Sequence, residues 1–150
     1  MSLPTELTEL FNGDHVDDAC GETFLLATVD EEHLPHLAML GIGEVYAPSP
    51  TRINLALHRG TGSRRALSVS RHGLLSVVRG GAAHQIRLHV RSEHLGDSDG
   101  ITCFTTEVVE ARQDRAAYAT LVSGVTFELR GDLDQTLARW HRQVEHLKLL

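Results

Sequence analysis

Few cysteines and no long apolar runs exclude several classes of protein at once. The chain has two cysteines, Cys20 and Cys103, too few for a disulfide scaffold and not spaced as a C-x-x-C unit. Both are expected to be reduced thiols, buried or half-buried. No apolar run reaches the roughly 18 residues that a membrane span needs. The predictions are a cytoplasmic protein with no membrane partner.

Basic side chains are also scarce. There are 14 basic against 20 acidic side chains, giving a net charge of −6, and no basic stripe is visible. Nucleic acid is therefore not an expected partner, because a phosphate backbone needs clustered positive charge.

Standard catalytic and metal-binding motifs are missing as well. The chain has neither a Walker loop nor a G-x-G-x-x-G turn, and Ser63 does not lie in a G-x-S-x-G elbow. It has ten histidines but no H-E-x-x-H, and the cysteines are not placed to complete a zinc site. No metal site is predicted.

What is present is the composition of an ordinary globular domain. The 150 residues are 41% hydrophobic and 23% charged, which is typical of a folded chain. This length favours a single domain spanning residues 1–150.

The most informative stretch is a strand followed by a small-residue turn and a basic helix. Residues 53–58 alternate between apolar and polar or small side chains, the pattern of a strand with one buried face. Thr61 and Ser63 then lie in a glycine-containing turn, and Ser63 is the expected N-cap of a helix that begins at Arg64. Helix N-termini attract anions, and Arg64 and Arg65 add two permanent charges suited to phosphate. The stretch predicts a phosphate site, although an ordinary capped turn with solvated arginines has the same pattern.

The other elements follow from periodicity. Ser2 is the expected cap of a first helix, Ala47 to Pro50 a rigid loop, and residues 113–120 a short helix or a loop. Besides 53–58, six segments are predicted as strands: Thr23 to Val29, His36 to Glu44, Leu74 to Val78, Gln85 to Arg91, Ile101 to Val109 and Val122 to Arg130.

A closing helix is predicted from Asp132 to Leu150. Asp132 is its N-cap, and Leu133, Leu137, Trp140, Val144 and Leu147 form one apolar stripe. The stripe packs either on the chain's own sheet or on a second subunit. With six to seven antiparallel strands, terminal helices and a single internal helix, the expected fold is mainly β, a small barrel with flanking helices.

Several segments, taken in order, resemble the pyridoxamine 5′-phosphate oxidase-like proteins, which are FMN-binding split barrels. They are Phe24 to Asp30, Leu34 to Leu40, Ile53 to His58, Thr61 to Arg65 and His84 to Leu88. The resemblance implies a homodimer that binds FMN at its interface.

The resemblance also assigns residues to the cofactor site. Thr61, Ser63, Arg64 and Arg65 are implied to hold the flavin phosphate, and Gln85 and Arg87 to contact the flavin, with His84 where the family has arginine. The strand from His36 to Leu40, including Ala38 and Met39, would line the ring. Arg52 and His58 are further candidates for this pocket.

The end of the chain departs from authentic pyridoxamine phosphate oxidases. Residues 139–142 do not match the family's Arg- and His-containing substrate motif, so oxidation of vitamin B6 is not expected. The leading hypothesis is an FMN-dependent oxidoreductase acting on an unknown small molecule, with no assigned catalytic residue, since the flavin itself transfers the electrons.

The alternatives are a non-catalytic carrier or sensor of flavin or haem, and a domain that has lost its cofactor. A deazaflavin could also replace FMN. Haem would need an axial ligand, with His84, His89 or a C-terminal histidine as candidates.

Overall fold

The computed structural model describes residues 1–150 and contains seven strands and three α-helices. In chain order they are α1 (Thr5–Leu10), β1 (Phe24–Val29), β2 (Pro35–Leu40), a 3₁₀ turn (Ile42–Glu44), β3 (Val45–Ser49), β4 (Arg52–His58), α2 (Gly62–Ser70), β5 (His72–Arg79), β6 (Ala82–Leu95), β7 (Ile101–Asp114) and α3 (Leu133–Lys148). The prediction of a mainly β fold with terminal helices is confirmed.

All seven strands form one antiparallel sheet in the order β2-β1-β5-β6-β7-β4-β3. The two edge strands, β2 and β3, are separated in sequence only by the 3₁₀ turn. A few residues can span at most about 3.6 Å each, so the sheet curls until its edges approach one another. The result is an open, or split, barrel.

Alternate residues of the strands fill the barrel interior. The largest fully buried side chains include Phe24, Leu26, Ile53, Ile86 and Phe104. They belong to a single hydrophobic core that also includes residues of α1 and α3. Helix α2 covers part of this core with Ala66 and Leu67, both fully buried.

Helix α3 packs on its own barrel, which decides between the two placements considered for its apolar stripe. Trp140, Val144 and Leu147 are buried, while Leu133 at the start of the stripe stays 47% exposed. The Trp140 ring lies so close to Gly43 that a Cβ there would come within 2.3 Å of it. Only glycine fits at this contact.

Several predicted boundaries are wrong. The β2 strand ends at Leu40 rather than Glu44, because Glu44 Oε1 accepts a hydrogen bond from the Gly41 N–H and closes the 3₁₀ turn. The predicted loop at Ala47 forms part of β3, since Pro48 is tolerated on an edge strand. Helix α1 starts after Pro4 and has no side-chain cap, so Ser2 does not cap it.

The largest error concerns residues 122–130, which do not form a strand. Their only bridge joins Thr126 to Glu22. The segment lies outside the seven-stranded sheet and contacts residues 21–23, just before β1. Residues 113–120 contain no helix; the first two complete β7 and the rest is loop.

No helix of the structure is long and apolar enough to cross a membrane.

Candidate functional site

The turn between β4 and α2 leaves backbone N–H groups free at the start of a helix. Thr61, not Ser63, is the N-cap: its Oγ1 accepts from the Arg64 N–H at 3.1 Å and donates to the His58 carbonyl at 3.0 Å. The N–H groups of Gly62 and Ser63 lie in the first turn, where a helix offers no internal acceptor. This end of α2 therefore presents donors to an anion.

A cavity of about 310 Å³ opens at this helix end, between β2, β4 and the 3₁₀ turn. Six of the ten predicted cofactor-site residues line it: His36, Ala38, Met39, His58, Thr61 and Ser63. The structure thus brings together residues that lie more than twenty positions apart in the chain.

Ser63 is the buried polar group of this cavity. The residue is 5% exposed and lines the cavity wall, yet its hydroxyl makes no hydrogen bond within the chain. The hydroxyl is not one of the enclosed unpaired polar atoms, which are Thr28 Oγ1 and Asn54 Oδ1, so it is open to the cavity and available to a ligand.

Neither predicted arginine lines the cavity. Arg64 donates from Nε to the Arg59 carbonyl at 3.1 Å and borders a separate depression beside Glu93. Arg65 makes a two-pronged ion pair with Glu31, with N–O distances of 3.1 and 3.3 Å.

Gln85 and Arg87 lie on the other side of the sheet. Registers place them beside Ser76 and Leu74 of β5, which in turn pair with Leu25 and Ala27 of β1. Direct partners share a face, so these side chains and their β2 partners form one surface. This surface, called here the open face, comprises Leu25, Ala27, Val29, Pro35, Leu37, Met39, Leu74, Ser76, Gln85 and Arg87.

The open face is apolar and exposed. Leu37 is 61% exposed, Met39 65% and Val29 42%. A groove of about 530 Å³ runs along it and has Arg87 at its rim. Leu37 and Met39 also line the cavity at the helix end, so the two features meet at the edge strand β2.

His36 is held in the cavity by a carboxylate. Its Nε2 lies 2.9 Å from Asp30 Oδ2, and the other oxygen of Asp30 accepts the N–H groups of Glu32 and Leu34. The hydrogen bond from His36 keeps the pKa of Asp30 below its ordinary value, and the backbone donors act in the same direction. Asp30 was not singled out from the sequence, where its spacing of six from His36 is no recognised signal.

Glu44 is a second residue that the sequence patterns did not identify. It lines the same cavity, and burial raises the pKa of its carboxyl, opposed by the Gly41 N–H and by His58 and Arg139. Its role in closing the 3₁₀ turn depends on tertiary structure, so no sequence signal marked it.

The remaining candidates lie away from this cavity. Arg52 is exposed at the start of β4. His84 is buried, with Nε2 3.2 Å from the Arg79 carbonyl and 3.1 Å from Glu6. His89 stacks on His72. No group of three or more histidine, cysteine or acidic side chains could hold a metal ion.

The two cysteines are separate free thiols. Cys103 is fully buried and Cys20 partly so, as predicted. Burial raises the pKa of Cys103 to about 11, and Asp97 adds to the shift. This thiol is therefore not a nucleophile at neutral pH.

Solved structures share this fold at low sequence identity. An FMN-binding protein from Syntrophomonas wolfei subsp. wolfei has a TM-score of 0.53 and 11% identity, over 70% of this chain and 86% of that one. A putative pyridoxamine 5′-phosphate oxidase from Listeria innocua has a TM-score of 0.52 and 9% identity, over 74% and 97%. The chain therefore has the split-barrel fold of these structures.

No family model matches the chain. It is 31% identical over 153 aligned positions to the uncharacterized protein YclD of Bacillus subtilis (strain 168), covering 97% of this chain and 96% of that protein. The chain belongs to the same family as YclD.

Proposed function

We propose that the chain binds FMN as a homodimer and acts as an oxidoreductase on a small molecule. The observation that carries the proposal is the Ser63 hydroxyl, which makes no hydrogen bond within the chain and lines the cavity beside the free N–H groups at the start of α2. These donors suit a phosphate group. Split-barrel neighbours include an FMN-binding protein, which supports flavin as the group attached to that phosphate.

The open face supports the remainder of the cofactor site. A flavin whose phosphate lies at Ser63 can extend along β2, where Ala38 and Met39 line the cavity wall. The flat ring then needs apolar cover, which exposed Leu37 and Met39 provide on one side only. Flavin supplies the hydride or electron transfer, whereas the protein binds it, orients it and excludes water.

A second copy of the chain is the proposed cover for the open face. Exposed apolar patches of this kind mark protein or ligand contacts, and Gln85 and Arg87 on the same face provide polar groups at the interface. Sedimentation should give a dimer at micromolar concentration. Leu37→Glu should shift it to monomer and weaken FMN binding, whereas Leu149→Glu, at a residue 82% exposed just after the end of α3, should not.

The first experiment is an absorption spectrum of the protein after FMN is added and the excess removed. The visible bands of bound oxidised flavin are expected. Ser63→Ala should weaken FMN by roughly 1.5–3 kcal/mol, the scale of one hydrogen bond to a charged group. The control Ser49→Ala removes a hydroxyl bonded only to the neighbouring Thr51. No retained flavin in the wild type would overturn the proposal.

Arg64 and Arg65 remain predicted phosphate ligands. Arg64 must release the Arg59 carbonyl, and Arg65 must release Glu31, before either guanidinium reaches the cavity. Bound flavin that NADH and NADPH both fail to reduce would favour the carrier or sensor over the enzyme.

A further inference from the structure

His36 contacts the start of α2 with the ring nitrogen that Asp30 does not use. An ideal Cβ on Gly62 would lie 2.7 Å from His36 Nδ1. The absence of a side chain at Gly62 therefore lets the imidazole approach the free N–H groups of the helix. Since Nε2 is bonded to Asp30 at 2.9 Å, Nδ1 is the nitrogen available to a ligand in the cavity.

Asp30 fixes the orientation of the imidazole through its hydrogen bond with Nε2. In imidazolium both ring nitrogens donate, so protonated His36 can donate to Asp30 and to a ligand at the same time. The His36 and Asp30 side chains are only 35% and 24% exposed, so solvent screens the pair less than a fully exposed one. An Nδ1–H group beside a helix N-terminus adds a further donor for an anion.

The other charged groups around His36 are either engaged with other partners or line the same cavity. On the β1–β2 turn, Glu31 pairs with Arg65 of α2, and Arg64 is bonded to the Arg59 carbonyl. Glu44 and His58 line the same cavity. Thr28, the register partner of His36 on β1, carries no charge.

We infer that protonated His36 is a direct ligand of the phosphate group, donating through Nδ1, and that Asp30 is the positioning residue that orients its imidazole and places a negative charge beside it. The inference rests on the proposed phosphate site. It adds a side-chain donor that lies in the cavity already, whereas both arginines point elsewhere.

The direct test follows the histidine ring signals by NMR during a pH titration, with and without inorganic phosphate. Phosphate should move the titration midpoint of His36 to higher pH, because a ligand that binds imidazolium better must raise proton affinity to the same extent. His15, which pairs with Asp18 at 3.1 Å outside the cavity, is the internal control and should not move. A His36 midpoint unaffected by phosphate overturns the inference.

A second test compares FMN with riboflavin, which lacks the phosphate. The ratio of their affinities should fall as the pH rises through the range where histidine loses its charge, about pH 6 to 8. His36→Gln should reduce this ratio by roughly tenfold or more at the acidic end, the scale of one charged hydrogen bond, and remove its pH dependence.

Asp30→Asn separates positioning from a purely structural role. The amide keeps an oxygen for the Glu32 and Leu34 N–H groups but removes the charge. The fall in the affinity ratio should therefore shift to lower pH, while Asp18→Asn leaves it unchanged. An unshifted profile overturns the role of Asp30.

The two proposals fail in different ways. FMN that binds tightly without involving His36 would remove only this inference. A His36 signal that responds to phosphate in a protein that binds neither FMN nor riboflavin would instead remove the flavin proposal.

Discussion

Strand β6 and the segment of residues 115–131 differ in how their backbones are bonded. β6 pairs with β7 along nearly its whole length and with β5 on the other side over residues 82–89. Within the segment, Leu121 donates to Gly81 and Phe127 to Gly21, while Val125 accepts from Thr23. Side chains follow the same division: Ile86 and Leu88 are buried, whereas Val122 is 96% exposed. A strand with hydrogen-bonded strands on both sides is stabilised by the sheet, whereas a segment without such strands depends on a few contacts.

The largest expected difference is in hydrogen exchange. Central β6 amides should open only with global unfolding, so they should exchange roughly a thousandfold or more slowly than those of residues 115–131. Exchange measured by NMR or mass spectrometry checks this. Protection of the segment that grows with protein concentration would show instead that a second copy covers it.

Core truncation in β6 should have the next largest effect. Ile86 is fully buried, so Ile86→Ala should cost about 2–5 kcal/mol of unfolding free energy, combining lost burial and a cavity. Val122→Ala is the matched change in the segment and should stay within about 0.5 kcal/mol. Urea unfolding of both variants gives the comparison. Equal losses would mean that Val122 is buried in solution.

Within residues 115–131, the contact of Phe127 with Trp140 is expected to contribute most to stability. Its ring lies 6.4 Å from Trp140 in an edge-to-face arrangement and is partly buried against the core. Phe127→Ala should cost about 1–2 kcal/mol, less than a full core truncation. Tyr118→Ala, at a ring 94% exposed, should be nearly neutral. If both were neutral, the segment would not be anchored through Trp140.

This comparison explains how far the sequence predicts the fold. Alternation is nearly as clear over 122–130 as over 85–91, yet only the second stretch has strand partners. Periodicity reports which faces could be buried, not whether a sheet edge is available. The 3₁₀ turn and β3 were missed for the complementary reason: Glu44 and the edge of β4 stabilise them from outside their own sequence.

The residues of the candidate site likewise divide into those that the sequence predicted and those that depend on tertiary contacts. Thr61, Ser63 and His58 were predictable because a strand, a turn and a helix follow one another directly. Asp30 was not, since its contact with His36 depends on how the β1–β2 turn folds back. The sequence also did not predict side-chain direction. Arg64 and Arg65 lie next to Ser63 in sequence but point away from its cavity.

The smallest expected effect concerns Glu44, which closes the 3₁₀ turn and also lines the cavity. Burial raises the pKa of its carboxyl in the folded protein. At pH values between the pKa of the unfolded state and that of the folded state, the folded state therefore holds more protons. Stability from this group is therefore highest at acidic pH and falls as pH rises through that window.

Glu44→Gln removes the charge while its amide oxygen can still accept the Gly41 N–H. The variant should gain roughly 1–2 °C in Tm near neutral pH, the scale of about half a kcal/mol, and less near pH 4, where the wild-type carboxyl is protonated. A loss of Tm at both pH values would show that the carboxylate stabilises the 3₁₀ turn more than its burial costs.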